Sequence, residues 1–390
     1  METLSSPLVL FPNARAARFI KRLNRFVIEC AVDGRTVMAH LPNPGRLWEL
    51  LLPGRTVYLT EEEGMSHRKT RHTAVAVERD GTPIVLHTHQ TNEAVKWLIE
   101  QGAIPGLERA EIIRREATVG HSRFDFQLLN DGRPLFLEAK SCTLFGRTIA
   151  MCPDAVTARG TKHLRELANL SKAGIKTAVI FLCHWNRAQW FLPDYHTDLE
   201  FARTVLASRQ DIEMKPVAVE WNDELALSPK ARELSIPWDL MEQEVQDRGS
   251  YLLMLHLPAD SAIAVGKRGT VRFPKGYYLY AGSAAKHLTK RIQRHMRKQK
   301  TFHWHIDYLR EHAGRCVALP VRSSVPLEHE LAAAVSAIAD WPVAGFGASD
   351  CSCDTHLFGM RENPLHNQAF IDLLLDFRIN RLEKSLQAKG

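Results

Sequence analysis

No apolar run in the 390-residue sequence approaches the roughly eighteen residues a membrane-crossing helix needs, so no membrane protein of that kind is expected. The early PLVLF stretch is too short, and too soon followed by Arg15 and Arg18, for a secretion signal. A cytoplasmic location follows. Seven cysteines, scattered at 30, 142, 152, 183, 316, 351 and 353, do not form a disulfide framework and suit a reducing compartment. Internal repeats and low-complexity segments are absent, which excludes solenoids and disordered chains. Acidic residues are the minority: 51 Lys and Arg against 44 Asp and Glu leave a formal charge of +7 and favour a polyanionic partner such as nucleic acid. What is present, 45% hydrophobic and 24% charged residues, is the composition of an ordinary globular protein, long enough for two or three domains.

Residues 1–88 alternate in short stretches (RFVIECAV, RTVMAHL, RTVYLT, HTAVAVE) punctuated by Asp33-Gly34, Pro53-Gly54 and Asp80-Gly81, the pattern of a small all-β barrel. From Asn92 the spacing turns helical (NEAVKWLIEQG). Strands follow at about 111–119, 122–129 and 134–141, then a helix near 157–172 and a run, TAVIFLC, apolar on both faces and so expected as a buried strand. Residues 89–221 therefore form an α/β domain. The polar stretch 222–248 is expected as a linker, 249–362 as a third domain, and 363–390 as a C-terminal helix.

Residues 122–141, SRFDFQLLNDGRPLFLEAKS, carry three charges inside two strands. If Asp131-Gly132 forms a two-residue type I′ turn, facing positions place Asp125 opposite Glu138, with Lys140 on the same face. Phe124, Phe126 and Leu128 would then share the other face with Leu135, Leu137 and Ala139. Two opposed carboxylates repel unless a divalent cation lies between them. An ordinary solvated hairpin face is the alternative.

Asp125, then Glu138-x-Lys140 across a hairpin in this element order, resembles the PD-(D/E)XK nuclease core. RFIKRLNRF, HLPNPGRLWELLLPG, SRFDF, LEAKSCTL, PDAVTARGTKHLREL and AGIKTAVIF together resemble the sugar fermentation stimulation protein A family over about residues 7–220. That resemblance implies an N-terminal OB-fold-like barrel, a PD-(D/E)XK nuclease-like α/β domain and DNA binding. Asp125 and Glu138 would hold Mg²⁺ or Mn²⁺, and Lys140 would complete the catalytic set. EAK stands where EVK is more usual. Lys96 and Trp97 replace an acidic pair, so an auxiliary carboxylate from that helix, Glu93 or Glu100, is not carried over. The family name also suggests a rival function, a non-cleaving DNA-binding regulator of sugar (maltose) metabolism genes. Arg159, Lys162 and His163 are expected on the side of the following helix opposite Leu164, Leu167 and Ala168, either at a phosphate near the metal site or solvated. Arg46, in a Pro- and Gly-rich loop, either meets phosphate or stiffens a turn.

The third domain resembles the DUF123 family, itself similar to GIY-YIG nucleases, through Gly249-Ser-Tyr251, Tyr280-Ala-Gly282, Arg291, HWHIDYL, Glu328 or Glu330, and FGASDCSCDTHLF. The resemblance implies an α+β fold in which Tyr251 and Tyr280 flank a scissile phosphate, Arg291 clamps it and Glu328 holds Mg²⁺. Neither tripeptide is intact and a VGKRGTVRFPKG hairpin is inserted, so binding without cleavage is the alternative. Independently, residues 286–300 contain seven Lys or Arg, with Leu288, Ile292 and Met296 on one helical face; Lys290, Arg294 and Arg297 belong to a cationic stripe suited to phosphate. Cys351, Cys353 and His356 with His303 or His305 offer zinc ligands. Cys-x-Cys is not the common knuckle, however, and zinc is not expected. DNA is the expected partner, and oligomeric state is not legible.

Overall fold

The computed structural model describes residues 6–61, 70–120, 122–347 and 353–387. Two compact units divide the chain, Met1–Trp238 with Leu382–Gly390, and Asp239–Arg381.

In the first unit, strands β1 (Arg15–Asn24), β2 (Val27–Val32), β3 (Arg35–His40), β4 (Thr56–Glu61), β5 (His72–Arg79) and β6 (Thr82–Val85) form one sheet in the order β3-β2-β1-β4-β5-β6. A short parallel pairing, Ala39↔His72 and His40↔Thr73, closes β3 onto β5, which makes the first five strands a barrel. Helix α1 (Thr91–Glu100) leads into β7 (Glu111–Val119), β8 (Ser122–Asn130) and β9 (Arg133–Cys142). Next come α2 (Ala158–Lys172), β10 (Lys176–Cys183), α3 (Leu199–Ala207), β11 (Glu213–Trp221) and β12 (Ala226–Glu233). The central sheet has seven strands, ordered Leu8–Val9, β12, β11, β10, β9, β8, β7. Strands β9, β10 and β11 run parallel at its centre.

One apolar core joins barrel to sheet. Val75 and Ala76 of the barrel and Val85 of β6 pack in the same cluster as Ala94, Val95, Leu98 and Ile99 of α1 and Phe126, Leu137, Ile180 and Val217 of the sheet. Each large side chain buried there stabilises the fold by roughly 1.5–3 kcal/mol. Strand β10, buried from Thr177 to Cys183, is the expected two-faced core strand.

Two boundaries differ from the sequence reading. Part of the supposed linker is β12, antiparallel to β11. Leu8–Val9 pairs with β12 rather than joining the barrel. Both segments lie at the sheet margin, where a strand with one wet face lacks the apolar pattern that would reveal it.

The second unit is built on an antiparallel sheet with β13 (Gly249–Leu257), β14 (Gly276–Ala284), β15 (Arg315–Arg322) and β16 (Leu357–Met360), ordered β15-β13-β14-β16 with Trp341–Pro342 at the edge. Helices α4 (Leu288–Met296), α5 (His305–His312), α6 (Glu328–Ile338) and α7 (Gln368–Arg378) accompany it. The inserted segment is a hairpin, Ser261–Ala264 paired with Thr270–Phe273. The expected tail helix is α7, and Leu382 onward belongs to the first unit, where Glu383 accepts hydrogen bonds from Thr148.

Candidate functional site

The β8–β9 turn has Asp131 at φ 48° and Gly132 at φ 72°, two successive left-handed residues as a type I′ turn requires. The register follows the sequence reading, running from Arg133↔Asn130 to Leu137↔Phe126. The next pair would be Asp125 opposite Glu138, and there the ladder opens. The Asp125 carboxylate takes over: Oδ2 accepts from the Ala139 amide at 2.8 Å and Oδ1 from Asn92 Nδ2 at 2.8 Å. Phe124, Phe126 and Leu128 are buried in alternation with the more exposed Arg123, Asp125 and Gln127, and the Phe124 ring lies 6.2 Å from Phe136 and 6.1 Å from His163.

Glu138 is buried, at 4% exposure. Its Oε1 accepts from His163 Nδ1 at 2.6 Å and from the Lys140 ammonium, while Oε2 is buried with no hydrogen-bond partner among the described residues. Burial would raise this carboxyl, but the bonds from His163 and Lys140 outweigh it and hold it below its ordinary value. Asp125 goes the other way, raised by burial and then by the charge of Glu138. The two carboxylates feel each other electrostatically.

Asn92, Lys140 and Arg159 line a cleft of about 320 Å³ together with the barrel loop Asn43-Pro44-Gly45 and the Met151–Thr157 segment. The loop is held by Arg22, which donates to the Gly45 and Arg46 carbonyls at 2.7 Å, and by Asp154, which accepts from the Leu47 amide at 2.6 Å. A side chain at Gly45 would meet Asn43 and Asp154 oxygens at 2.9 Å, so glycine is needed for this close approach. Arg46 reaches Thr197, at 3.3 Å, and stacks on Trp48.

Of the expected α2 cations, Arg159 is exposed at the cleft and Lys162 is exposed but pairs with Glu166 at 3.6 Å. His163 is not solvated. It is 7% exposed and points at Glu138. Its spacing gave the clue to burial, since it precedes the buried Leu167 by one helical turn. On α1, Glu93 pairs with Arg115 and Glu100 with Lys96; Asn92, which the sequence reading passed over, is the residue that reaches Asp125.

In the second unit Tyr251, Tyr280, Arg291 and Glu328 do converge, lining one cleft of about 260 Å³ with His295, His303, Trp304 and His305. Gly282 faces Tyr251 across the ladder, and a Cβ there would lie 2.5 Å from the phenolic oxygen. Tyr251 OH lies 3.0 Å from His295 Nε2, a partner missed because it sits within a run of basic residues. Burial, then Tyr280, pushes the Tyr251 hydroxyl upward. Arg291 donates to the Ser283 carbonyl and lies over the Trp304 ring. Glu328 accepts from Ser283 Oγ and, at 3.1 Å, from His356 Nδ1.

The basic segment is helical only over Leu288–Met296. Lys290 and Arg297 are exposed, but Arg294 is spent on buried Asp307 at 3.0 Å, together with Lys300 at 2.8 Å. His303 and His305 belong to the tyrosine cleft, and the thiol of Cys353 meets His329 instead, at 3.3 Å. Cys351 lies outside the described residues.

Three family descriptions match the chain: SfsA N-terminal OB domain over residues 20–86, sugar fermentation stimulation protein RE domain over 89–225, and domain of unknown function DUF123 over 250–378. A sugar fermentation stimulation protein homolog of Clostridium tetani is 37% identical over 204 residues, which span 52% of this chain and 88% of the relative. Another, of Methanothermobacter thermautotrophicus, is 31% identical over 233 residues, 59% of this chain and 96% of the relative. Among solved structures, Pyrococcus furiosus SfsA in complex with Ca²⁺ is similar with a TM-score of 0.54 and 28% identity, covering 60% of this chain and 99% of its own. With its barrel, its α/β sheet and its additional DUF123 region, the chain belongs to the sugar fermentation stimulation protein family.

Proposed function

We propose that the first unit is a nucleic-acid-binding phosphodiesterase, with DNA as the expected polymer and Asp125, Glu138 and Lys140 as its working centre. The observation that carries this reading is the buried Glu138 Oε2, unpaired among the described residues, beside a carboxyl, Asp125, raised by burial and by Glu138. Hard oxygen ligands so arranged suit Mg²⁺ or Mn²⁺, and the Pyrococcus furiosus relative was solved with Ca²⁺, an ion of the same preference. A bound ion would lower the pKa of a water nucleophile and neutralise charge developing on the phosphate. The chain's own residues do the rest. Asn92 and the Ala139 amide fix Asp125, His163 fixes Glu138, and Lys140 and Arg159 bring positive charge to the cleft for the phosphate. The barrel loop Asn43-Pro44-Gly45 lines the same cleft as Lys140 and Arg159, where an OB-type barrel would guide a single strand.

The second unit is read as a separate phosphodiester site. Tyr251 and Tyr280 would border the phosphate, Arg291 would neutralise it, and His295 would accept the Tyr251 proton. Glu328 would offer the metal ligand there. A cleavage panel of single-stranded, double-stranded and branched DNA and RNA, each with Mg²⁺ and with EDTA, tests both. Metal-dependent cleavage should vanish in Asp125→Asn, Glu138→Gln and Lys140→Ala for the first centre, while binding in Ca²⁺ persists. Cleavage unchanged in all three would remove the first centre from the chemistry.

A further inference from the structure

Apart from the carboxylate centre and the tyrosine cleft, a third cluster of ligating side chains lies in the second unit. His329 stands on the first turn of α6, and Cys353 and His356 lead into β16. One ligand atom from each of the three lies within 4.8 Å of the others, and Cys353 Sγ is 3.3 Å from His329 Nδ1. The two imidazole rings approach edge-on with centroids 5.6 Å apart. We propose that these three side chains hold a zinc-type divalent ion.

Ligand chemistry selects the ion class. A thiolate and two imidazoles are soft to borderline donors that favour Zn²⁺, whereas Mg²⁺ requires oxygen. In a tetrahedral site with Zn–S of ~2.3 Å and Zn–N of ~2.0 Å, sulfur and nitrogen stand about 3.5 Å apart, close to the spacing of Cys353 and His329. A further contact supports it: Glu328 Oε1 accepts from His356 Nδ1 at 3.1 Å and orients the ring, as carboxylates commonly do for histidines at zinc. The His356 backbone is also fixed on both sides: its amide donates to the Phe346 carbonyl at 2.8 Å and its carbonyl accepts from the Ala281 amide at 2.9 Å. His356 is buried and His329 exposed, so the site opens to solvent on the His329 side, where a fourth ligand such as water would enter.

Such an ion would steady Glu328, which borders the tyrosine cleft through its bond from Ser283. The site does not depend on cleavage by either centre. Its test is metal analysis of the full-length chain, prepared without a histidine tag from zinc-supplemented cultures and dialysed. About one zinc per chain is expected in the wild type and in Asp125→Asn, falling to background in Cys353→Ser and His356→Ala. His329→Ala, at an exposed position, serves as the variant least able to unfold the chain and should also lose zinc with an unchanged circular dichroism spectrum. Glu328→Gln should weaken zinc affinity by about tenfold in competition with a chelating dye. Cobalt-substituted wild type should show a thiolate-to-cobalt charge-transfer band that Cys353→Ser lacks. Wild type with no more zinc than Cys353→Ser, zinc retained in all three ligand variants, or a cobalt spectrum without the thiolate band would each overturn the site.

Discussion

Burial pushes the Glu138 carboxyl upward, and His163 and Lys140, both donating to its Oε1, outweigh that push. Removing His163 leaves a buried charge half-satisfied, so His163→Ala should cost about 1.5–3 kcal/mol at neutral pH. The sign with pH follows from a folded carboxyl held below its unfolded value: the stabilisation is complete above the unfolded pKa and is lost as pH falls through the folded one. The gap between wild type and variant should therefore shrink below about pH 4 in urea unfolding; a constant gap would mean that His163 acts by packing alone. His184 acts with the same sign but for a different reason, because here the fold keeps the neutral form. It is buried between Ser141 Oγ, 3.1 Å from Nε2, and Trp221, whose indole N–H donates to Nδ1 at 3.0 Å, and burial pushes it down to about 3. Below its ordinary value of 6.5 the unfolded chain takes a proton that the folded chain refuses, so stability should fall by about 1.4 kcal/mol per pH unit until about pH 3. His184→Gln should lose that slope, and an unchanged slope would place the proton elsewhere. Much of this scale was legible in advance, since the turn and register around Asp131-Gly132 depend only on local backbone chemistry. His163, expected with Arg159 and Lys162 at a phosphate, is instead buried against the Glu138 carboxylate, a partner that helical spacing alone does not reveal.

Among the elements, α4 departs most from its sequence reading. A run of cations looks like a phosphate-binding stripe, but the buried carboxylate of Asp307 on α5 collects Arg294, Lys300 and His295 from it. Burial would raise Asp307, yet those partners hold it well below the usual carboxylate range. Arg294→Ala should thus destabilise the chain by about 2–4 kcal/mol, as a broken buried pair does. Replacing Lys290 and Arg297 together should leave stability nearly unchanged and reduce the salt dependence of nucleic-acid binding by roughly one unit of slope per lost phosphate contact. Melting curves and binding titrations at several salt concentrations separate the two; equal stability loss in both variants would contradict the assignment. Strand β12 was hidden for a related reason. Its burial alternates only weakly from Ser228 onward, so a polar edge strand had the composition of a linker. Strand β10 and helices α1 and α2 were legible because their apolar patterns face a core.

At the scale of the whole molecule, two candidate phosphodiester centres occupy two compact units. Their chemistry should be separable. Tyr280→Phe and Arg291→Ala should abolish one class of cleavage product and spare those lost in Asp125→Asn; a single product class lost in all variants would mean one shared reaction. The central claim, that Asp125 and Glu138 bind a divalent cation, is tested most directly by thermal unfolding of wild type and Asp125→Asn across a Mg²⁺ titration. Without metal, Asp125→Asn should be as stable as wild type or more so, because a carboxyl raised by burial and by Glu138 weakens the fold once ionised. With metal, the wild type should gain about 2.7 kcal/mol at a hundred times Kd while the variant gains less. Melting temperatures that ignore Mg²⁺ in both proteins would contradict the account.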